Sequence, residues 1–374
     1  MTEVQISGTG FLLDGRPTYA GRTFEGQRVQ GLLFNVRAVQ ATFDDANPQT
    51  RRHWAYPDTG VWDAERNVAE FCAALPSWRE HGVLAFTVNF QGGGPLYVPE
   101  IYLHYDNDGF TPEGALKPAC AGRMARVLAR ADELGMVAIV GLFYWVFLRR
   151  MRSQEAVWRA AHEALAFLEG TGRHNVLIEL ANEIDVVVDH TPYGDLFAPN
   201  RVHEMISALR AVHPGFLYST SGGGVQAETG RGMPPASLVE AADFILLHGN
   251  GTRPPQLAAA IQAVQALPAY RQNPKPIVVN EDSPAVANMD AAWRNGASWG
   301  YYDQGFAGQG DDPYADYTSR PRWNDGPFET LSGFQTPPVN WTINTPFKRA
   351  FFERVAEVTG QRHQTSSVND QPDV

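Results

Sequence analysis

The feature that most constrains the fold is an alternation of short apolar segments with amphipathic helices, which starts near residue 31 and repeats eight times. Runs such as 176–178 are apolar at every position, which is typical of strands buried on both faces of a parallel sheet. The segments between them carry apolar residues at helical spacing, as Val68, Phe71, Leu75 and Trp78 do. Eight strand–helix units in one chain predict an α/β fold, a closed (β/α)8 TIM barrel rather than an open sheet.

The individual elements follow from the same pattern. Strands are predicted at 31–39, 83–89, 136–143, 175–181, 216–220, 243–248, 276–280 and 297–301. Helices are predicted at 64–81, 119–134, 153–169, 200–212, 255–266, 287–295 and 345–359, with a short helix before the sixth strand. Residues 1–28 predict a β-hairpin ornament that turns at Asp14-Gly15. We expect a single domain over residues 1–360, followed by a flexible tail over 361–374.

The long connections all follow strands, so they lie on the C-terminal side of the predicted barrel. They cover residues 91–117, 184–200, 221–235 and 303–344. Long loops in compact domains are usually functional, and barrel enzymes carry their sites at this face. The mouth above the strand ends is therefore the predicted site.

Composition narrows the class of protein. The 374 residues carry a formal net charge of −11, which argues against nucleic acid or an anionic membrane as a partner and is ordinary for an enzyme of neutral substrates. Cys72 and Cys120 are too few for a disulfide framework, and we expect both to be core thiols in helices. No apolar run is long enough to span a membrane, and no signal-peptide pattern is present. We expect a cytoplasmic protein, or a secreted one if a leader was removed; the oligomeric state stays open.

Two glutamates stand at the ends of two separate strands. Glu183 follows the fourth strand and Glu281 follows the seventh. Two carboxylates that meet at one barrel mouth are what the cleavage of a glycosidic bond requires. Glu179 cannot be the partner of Glu183, because four residues of strand separate them by roughly 13 Å. We expect Glu179 to point into the barrel and to pair with a buried base such as Arg37, since an unpaired buried charge is costly.

Polar and aromatic residues at other strand ends are candidates for contacts with a sugar. Their positions are Asn35 and Arg37 on strand one, Asn89 and Gln91 at the end of strand two, and Tyr144 with Trp145 after strand three. For the two aromatic residues, packing at the barrel rim is an equal alternative. Gly92–Gly94 and Gly222–Gly224 would let backbone approach a ligand closely, or would simply form flexible loops. Asp44-Asp45 could bind hydroxyl groups or form a solvated acidic turn. The aromatics of 303–344 could wall the pocket or pin the loop to the barrel.

These strand-end motifs resemble those of the clan A glycoside hydrolases, most closely glycoside hydrolase family 5, over most of residues 30–305. The resemblance rests on Asn182-Glu183 after strand four, Glu281 after strand seven, Trp299 on strand eight and His248 on strand six. It implies that Glu183 is the acid/base and that Glu281 is the nucleophile. It further implies that Asn182 bonds the sugar 2-hydroxyl, that Trp299 is a platform beneath the reacting sugar, and that His248 belongs to a His-x-Tyr pattern. For His248 a core histidine is the alternative.

Three departures mark the chain as a divergent relative. Ile184 replaces the usual proline, Asp282 follows the second glutamate, and Asn250 stands where a tyrosine normally touches the nucleophile. The leading hypothesis is a retaining hydrolase of a β-linked glycoside that needs no cofactor and no metal. The long loops favour a pocket closed on several sides, and hence exo action or short substrates. A barrel that binds carbohydrate without cleaving it is the alternative. A metal-dependent hydrolase ranks below both, because only His248 is well placed as a ligand.

Overall fold

The structure is a computed structural model that describes residues 1–93, 104–315 and 326–361. Gly94 of the predicted glycine run, the loop aromatics Tyr317 and Trp323, and the tail beyond Gln361 lie outside these ranges. The chain begins with two small antiparallel sheets, made of β1 (Val4–Ser7), β2 (Gly10–Leu13) and β3 (Arg16–Pro17), and of β4 (Thr23–Phe24) and β5 (Gln27–Arg28). Asp14 and Gly15 turn the predicted hairpin, both with positive φ.

Eight parallel strands form the barrel, and all eight overlap the predicted ones, six of them at shorter length. They are β6 (Asn35–Arg37), β7 (Ala85–Asn89), β8 (Val137–Phe143), β9 (Val176–Ala181), β10 (Leu217–Ser219), β11 (Ile245–His248), β12 (Ile277–Glu281) and β13 (Ala297–Tyr301). Ladder pairing runs continuously from β10 through β6 and β13 to β11. The last gap is closed where the Asp243 amide donates to the Tyr218 carbonyl over 2.9 Å. The predicted (β/α)8 barrel is therefore confirmed.

Helices surround the barrel. In chain order they are α1 (Pro48–Arg51), α2 (Ala64–Glu80), α3 (Pro118–Glu133), α4 (Trp145–Leu148), α5 (Gln154–Gly170), α6 (Ile184–His190), α7 (Gly194–Phe197), α8 (Val202–Val212), α9 (Ala236–Ala241), α10 (Pro254–Ala266), α11 (Pro268–Gln272), α12 (Val286–Arg294) and α13 (Pro346–Thr359). The predicted helices are present, but α1, α4, α6, α7 and α11 were not predicted, because elements of four to seven residues show too little periodicity. The hydroxyl of Ser153 caps the N-terminus of α5, accepting from the Ala156 amide over 3.2 Å.

The barrel interior near the mouth is filled with polar side chains rather than with branched aliphatic ones. Asn35 and Asn89 are fully enclosed there. A side chain at Gly300 would overlap the amide of Asn35, and one at Gly141 would overlap the amide of Asn89. The two glycines thus make room for the amides, which occupy the interior of the barrel.

Outside the barrel, side chains of alternate strand positions pack against the helices. Cys120 is buried in α3 and Cys72 is half-buried in α2, so the expectation of a core thiol is wrong in degree for Cys72. Across the described ranges, no helix combines the length and the apolar character that a membrane crossing requires.

Candidate active site

Glu183 is presented to the mouth by a strained turn directly after β9. Its φ of +53° lies in the left-handed region, where a non-glycine residue costs on the order of 1–3 kcal/mol unless its surroundings enforce it. Ser221 provides that enforcement: its hydroxyl accepts from the Glu183 amide over 3.1 Å, and its carbonyl accepts from the Ile184 amide over 2.9 Å. The same hydroxyl donates to Glu179 over 2.7 Å. The turn is thereby tied to a carboxylate inside the barrel.

Glu281 is the last residue of β12, and both of its carboxylate oxygens have partners. The side-chain amide of Asn250 donates to one oxygen over 2.9 Å. The guanidinium Nε of Arg37 makes a short ion pair with the other. With both oxygens held and only 10% of its side chain exposed, the carboxylate has a fixed direction.

The two strand-end glutamates come together. One oxygen of Glu183, one oxygen of Glu281 and a ring nitrogen of His248 all lie within 4.8 Å of one another. The structure thus brings residues that are far apart in the chain to a common gap, because the ends of β9 and β12 meet at the barrel mouth.

His248 lies beneath this gap and faces three carboxylates. Its Nδ1 is 3.1 Å from Glu183 Oε1 and 3.8 Å from Glu281 Oε2, and its Nε2 is 3.8 Å from Glu179 Oε1. Burial acts to lower its pKa, but the charge of Glu281 and the contacts with Glu179 and Glu183 outweigh burial and raise the pKa to about 9. The imidazole is therefore a cation at neutral pH.

Arg37 is the second buried cation of the cluster. Its Nη1 lies 3.7 Å from Glu179 Oε2, which confirms the predicted pairing of these residues. Its Nη2 makes a short hydrogen bond to the side-chain oxygen of Asn182. Burial alone would raise the pKa of Glu179, yet contacts with His248, Arg37 and Ser221 leave that pKa lowered. Glu179 is thus a permanent anion that balances one of the two cations.

The remaining carboxyl group, Glu183, holds its proton more tightly than usual. Burial and the nearby charge of Glu281 raise its pKa, and they outweigh the opposing effects of His248 and Arg37. With Glu183 protonated, the two cations Arg37 and His248 balance the two anions Glu179 and Glu281. The cluster is then neutral, which is the favourable state for buried charges.

The spacing of Glu183, His248 and Glu281 would suit a metal ion by distance alone. The chemistry of the donor set does not. A histidine with a pKa near 9 is protonated and offers no lone pair, and Arg37 already binds the carboxylate of Glu281. These residues therefore fit an acid–base pair better than a metal centre.

A cavity of about 200 Å³ opens directly above the two glutamates. Of the residues predicted to bind substrate, it is lined by Arg37, Tyr144, Asn182 and Asn250. Gly224, from the run that was predicted to let backbone approach a ligand, lines it too. The lining residues that the sequence did not single out are Gln226, Arg231, Tyr302, Gln304 and Gln335. The signal available for them was the length of the connections 221–235 and 303–344, which contain all but Tyr302.

Five predicted substrate contacts lie outside this cavity. Asn35 and Asn89 fill the barrel interior, as described above. Gln91 is fully buried and accepts from the Tyr144 amide over 3.0 Å while donating to Asp108, so it positions Tyr144 rather than touching the pocket. His248 sits beneath the glutamates without lining the cavity. Burial in the strand-end layer is the common reason.

The fifth correction concerns Trp299, which is not a platform for a sugar. Its side chain is fully buried between β13 and the helix layer, where its ring lies 5.7 Å from that of Phe351 on α13. Its indole N–H donates to Asp282. Tyr302, beyond the end of the strand, lines the cavity instead. Strand parity explains the difference, since alternate residues of β13 face opposite sides.

The remaining open alternatives are resolved by burial. Asp45 is fully buried and accepts from Thr50 and from the Trp54 indole, so it anchors the loop rather than binding sugar or facing solvent. Phe334 and Trp341 of the long loop stack at 5.8 Å inside the core, which favours the pinning role for these aromatics. Gly93 allows the close approach of Gln335 and Tyr144 to its backbone.

A second cavity of about 450 Å³ adjoins the first and shares Asn250 and Tyr302 with it. Asp282 lines it, and burial raises the pKa of this carboxyl to about 7 against hydrogen bonds from Trp299 and Asn288. The ring of Tyr314 forms another wall, with the Arg253 guanidinium 3.9 Å above it. The site thus extends beyond the small pocket over the glutamates.

The fold and the site define a class: a (β/α)8 barrel with two carboxyl groups facing each other at the C-terminal mouth. No family model matches the chain, and no curated protein sequence matches it. Among solved structures, the chain is similar to the endo-1,4-β-mannanase of Rhizomucor miehei, at 10% identity and a TM-score of 0.53, with 96% of this chain and all of that chain covered. It is also similar to the endo-1,4-β-D-mannanase of Thermotoga petrophila, at 14% identity and a TM-score of 0.48, covering 87% of this chain and 99% of that chain. At 10% identity, the similarity to the Rhizomucor miehei enzyme supports the fold alone.

Proposed function

We propose that the protein is a retaining glycoside hydrolase that cleaves a β-linked glycoside or a short oligosaccharide. The observation that carries the proposal is the gap between Glu183 and Glu281, whose nearest oxygens lie within 4.8 Å. Retaining enzymes hold their carboxyl groups about 5–5.5 Å apart, whereas inverting enzymes need about 6.5–9.5 Å for an intervening water. The short gap favours direct attack by one carboxylate.

The charges around Glu183 and Glu281 support different roles for the two glutamates in the first step. Glu281, held by Arg37 and Asn250, attacks the anomeric carbon and forms a glycosyl ester while the bond to the leaving oxygen breaks. Glu183 gives its proton to that oxygen, for which its raised pKa keeps it in the acid form. The aglycone leaves as an alcohol, and the proton and the bonding electrons both balance.

The same pair completes the second step. Once Glu281 is an ester it carries no charge, so the repulsion that raised the pKa of Glu183 is gone and Glu183 becomes a competent base. It takes a proton from water, whose oxygen attacks the anomeric carbon and releases Glu281. Both glutamates return to their starting protonation states, and the anomeric configuration is retained.

The space directly above the glutamates is small, at about 200 Å³ against the roughly 300–1,000 Å³ of common ligand pockets. The adjoining cavity of about 450 Å³ leaves room for a short extension of the substrate. Asn182, whose side-chain oxygen is held by Arg37, lines the smaller cavity and can contact a sugar hydroxyl. The proposal therefore includes exo action or action on short oligosaccharides.

A variant series tests the assignment. Wild type, Glu281→Ala, Glu183→Ala and the matched control Glu353→Ala, an exposed position of α13, are assayed on nitrophenyl β-glycosides, with mannosides included. We expect Glu281→Ala to lose activity by about a thousand-fold or more, and Glu353→Ala to keep it. A 2-deoxy-2-fluoro glycoside with a good leaving group should add one sugar mass to wild type and to the control.

Azide separates the two roles. Azide should rescue Glu183→Ala with formation of a β-glycosyl azide, and Glu281→Ala with formation of the α-anomer, because the missing group differs. Full activity of Glu281→Ala on an accepted glycoside would refute the proposal. Calorimetric binding of sugars without any turnover by wild type would instead favour a carbohydrate-binding barrel.

A further inference from the structure

Among the described residues, Arg231 is the cation of the pocket that has no acidic partner. Its exposed side chain lines the cavity above Glu183 and Glu281. Within the described part of the chain, no carboxylate lies within 4.0 Å of its guanidinium. Arg37, the other arginine of the cavity, is fully engaged by Glu179 and Glu281.

Hydrogen bonds from its backbone amides fix the hairpin that carries Arg231. The Gln226 amide donates to the Arg231 carbonyl over 2.9 Å, and the Gly230 amide donates back to the Gln226 carbonyl over 2.8 Å. The hydroxyl of Thr229 accepts from the Arg231 amide over 3.3 Å. Gln226, the opposite member of this pair, lines the cavity as well.

Glycines let this hairpin pack closely against the segment that follows β10. A side chain at Gly232 would overlap the carbonyl oxygen of Gly223, and one at Gly222 would lie 2.7 Å from the Gly232 oxygen. The facing segment is tied in turn to the site, since the Gly223 amide donates to Asp185 over 2.7 Å and the Val225 amide donates to the His248 carbonyl over 2.8 Å. The backbone of Arg231 is therefore fixed at the rim of the pocket.

The charge balance shows what this guanidinium can bind. Beneath the cavity, Arg37 and His248 compensate Glu179 and Glu281, while burial and the charge of Glu281 raise the pKa of Glu183 and favour its neutral form. Among the described residues, Arg231 adds one positive charge without an ion-pair partner above this cluster, on a protein whose net charge is −11. An overall acidic surface repels anions, so a lone cation at the pocket favours a specific anionic group.

We propose that Arg231 determines specificity by binding an anionic group, a carboxylate or a sulfate, on the sugar that occupies the pocket. The inference rests on the proposed glycosidase function and adds a substrate class to it: uronic acid or sulfated glycosides. The planar guanidinium offers the paired donors that such an anion accepts.

Substrates that differ only at carbon 6 test this assignment. Nitrophenyl β-glycosides are compared as pairs, with either a hydroxymethyl or a carboxylate group, in the gluco, galacto and manno series. A 6-sulfate arm separates the two anion sources. The enzymes are wild type, Arg231→Gln, Arg231→Lys and the control Arg271→Gln, an exposed position of α11. A parallel titration of sodium glucuronate, galacturonate and mannuronate by calorimetry measures binding without turnover.

We expect wild type and Arg271→Gln to prefer an acidic member. Arg231→Gln should lose about ten- to a hundred-fold in kcat/KM on that member and change little on its neutral twin, because one charge-assisted contact is removed. Arg231→Lys should recover part of the loss, and added salt should raise KM for the acidic member only.

The outcomes distinguish the two proposals. Turnover that prefers neutral sugars and ignores Arg231→Gln overturns this inference and leaves the glycosidase intact. Absence of turnover, with uronate binding that Arg231→Gln abolishes, supports the inference and overturns the glycosidase. Neither turnover nor binding of any acidic sugar overturns both.

Discussion

At the scale of single residues, Asn250 is where this site departs furthest from the family that its motifs resemble. In that family a tyrosine on the sixth strand normally touches the nucleophile, and this chain has Asn250 at that position. Asn250, just beyond the end of β11, takes over that contact and donates to Glu281 over 2.9 Å. An amide fixes the orientation of the carboxylate without changing the net charge of the site, because its N–H donors lie in a fixed plane and it does not ionise.

Substitution of Asn250 should therefore affect turnover in a set order. Asn250→Ala removes one hydrogen bond to a charged group, so we expect kcat/KM to fall by about ten- to a hundred-fold. Asn250→Asp places a second carboxyl against Glu281 and should fall further, since the two compete for one proton. Steady-state kinetics near neutral pH, with unfolding midpoints as a folding control, measures both. Equal activity of the aspartate and alanine variants would argue against this role.

At the scale of elements, the mouth is built by loops that the barrel strands merely support. The hairpin around Arg231 packs backbone to backbone on the segment that follows β10, and only glycine permits such an approach. Sequence inspection recognised Gly222–Gly224 as a place of close backbone approach. What approaches is another part of the same chain rather than a ligand.

Two glycines of this hairpin provide a matched comparison. Gly230 and Gly232 both have positive φ, but a side chain at Gly230 meets nothing within 4 Å, whereas one at Gly232 overlaps Gly223. Gly230→Ala should cost about 1 kcal/mol of unfolding free energy from backbone strain alone. Gly232→Ala should cost more and should also raise KM, because the hairpin must move away from the pocket. Chemical unfolding and kinetics check this, and similar effects of both variants would contradict it.

At the scale of the whole molecule, buried charge couples the site to stability. Three carboxyl groups and two cations meet where β6, β9, β11 and β12 end, largely enclosed at the barrel mouth. Removing one member leaves another buried without compensation, which typically costs about 3–5 kcal/mol. The charged cluster is therefore also a structural element of the barrel mouth.

His248 makes this coupling visible in the pH dependence of folding. Its pKa is raised from 6.5 to about 9 in the folded protein, so its contribution is complete below pH 6.5 and is lost as pH rises through 9. The loss amounts to something on the order of 3 kcal/mol. Urea unfolding between pH 6.5 and 9 should show a steeper decline for wild type and for the exposed control His174→Asn than for His248→Asn.

If His248→Asn does not fold, the wild-type protein still decides the matter. The ring resonance of His248 in NMR spectra should titrate near pH 9. A titration near its ordinary value would show that the surrounding carboxylates do not hold the proton.

The local sequence pattern predicted the barrel architecture and the pair of glutamates, Glu183 and Glu281. Apolar runs and helical spacing are properties of neighbouring residues, so the eight strands, the longer helices and the strand-end positions of Glu183 and Glu281 could be predicted directly. The pairing of Arg37 with Glu179 could also be predicted, because a buried charge needs a partner of opposite sign and the strands offered few such residues. Short helices such as α6 escaped prediction because they contain barely two turns.

The lining of the pocket depended on contacts between distant segments. Strand parity decides whether Trp299 or Tyr302 faces the cavity, and the indole of Trp299 packs against helix α13 instead. Arg231 and Gln335 reach the site through loop packing that no local periodicity encodes. Strand order is a one-dimensional property of this chain, whereas the walls of its pocket exist only once the loops have packed in three dimensions.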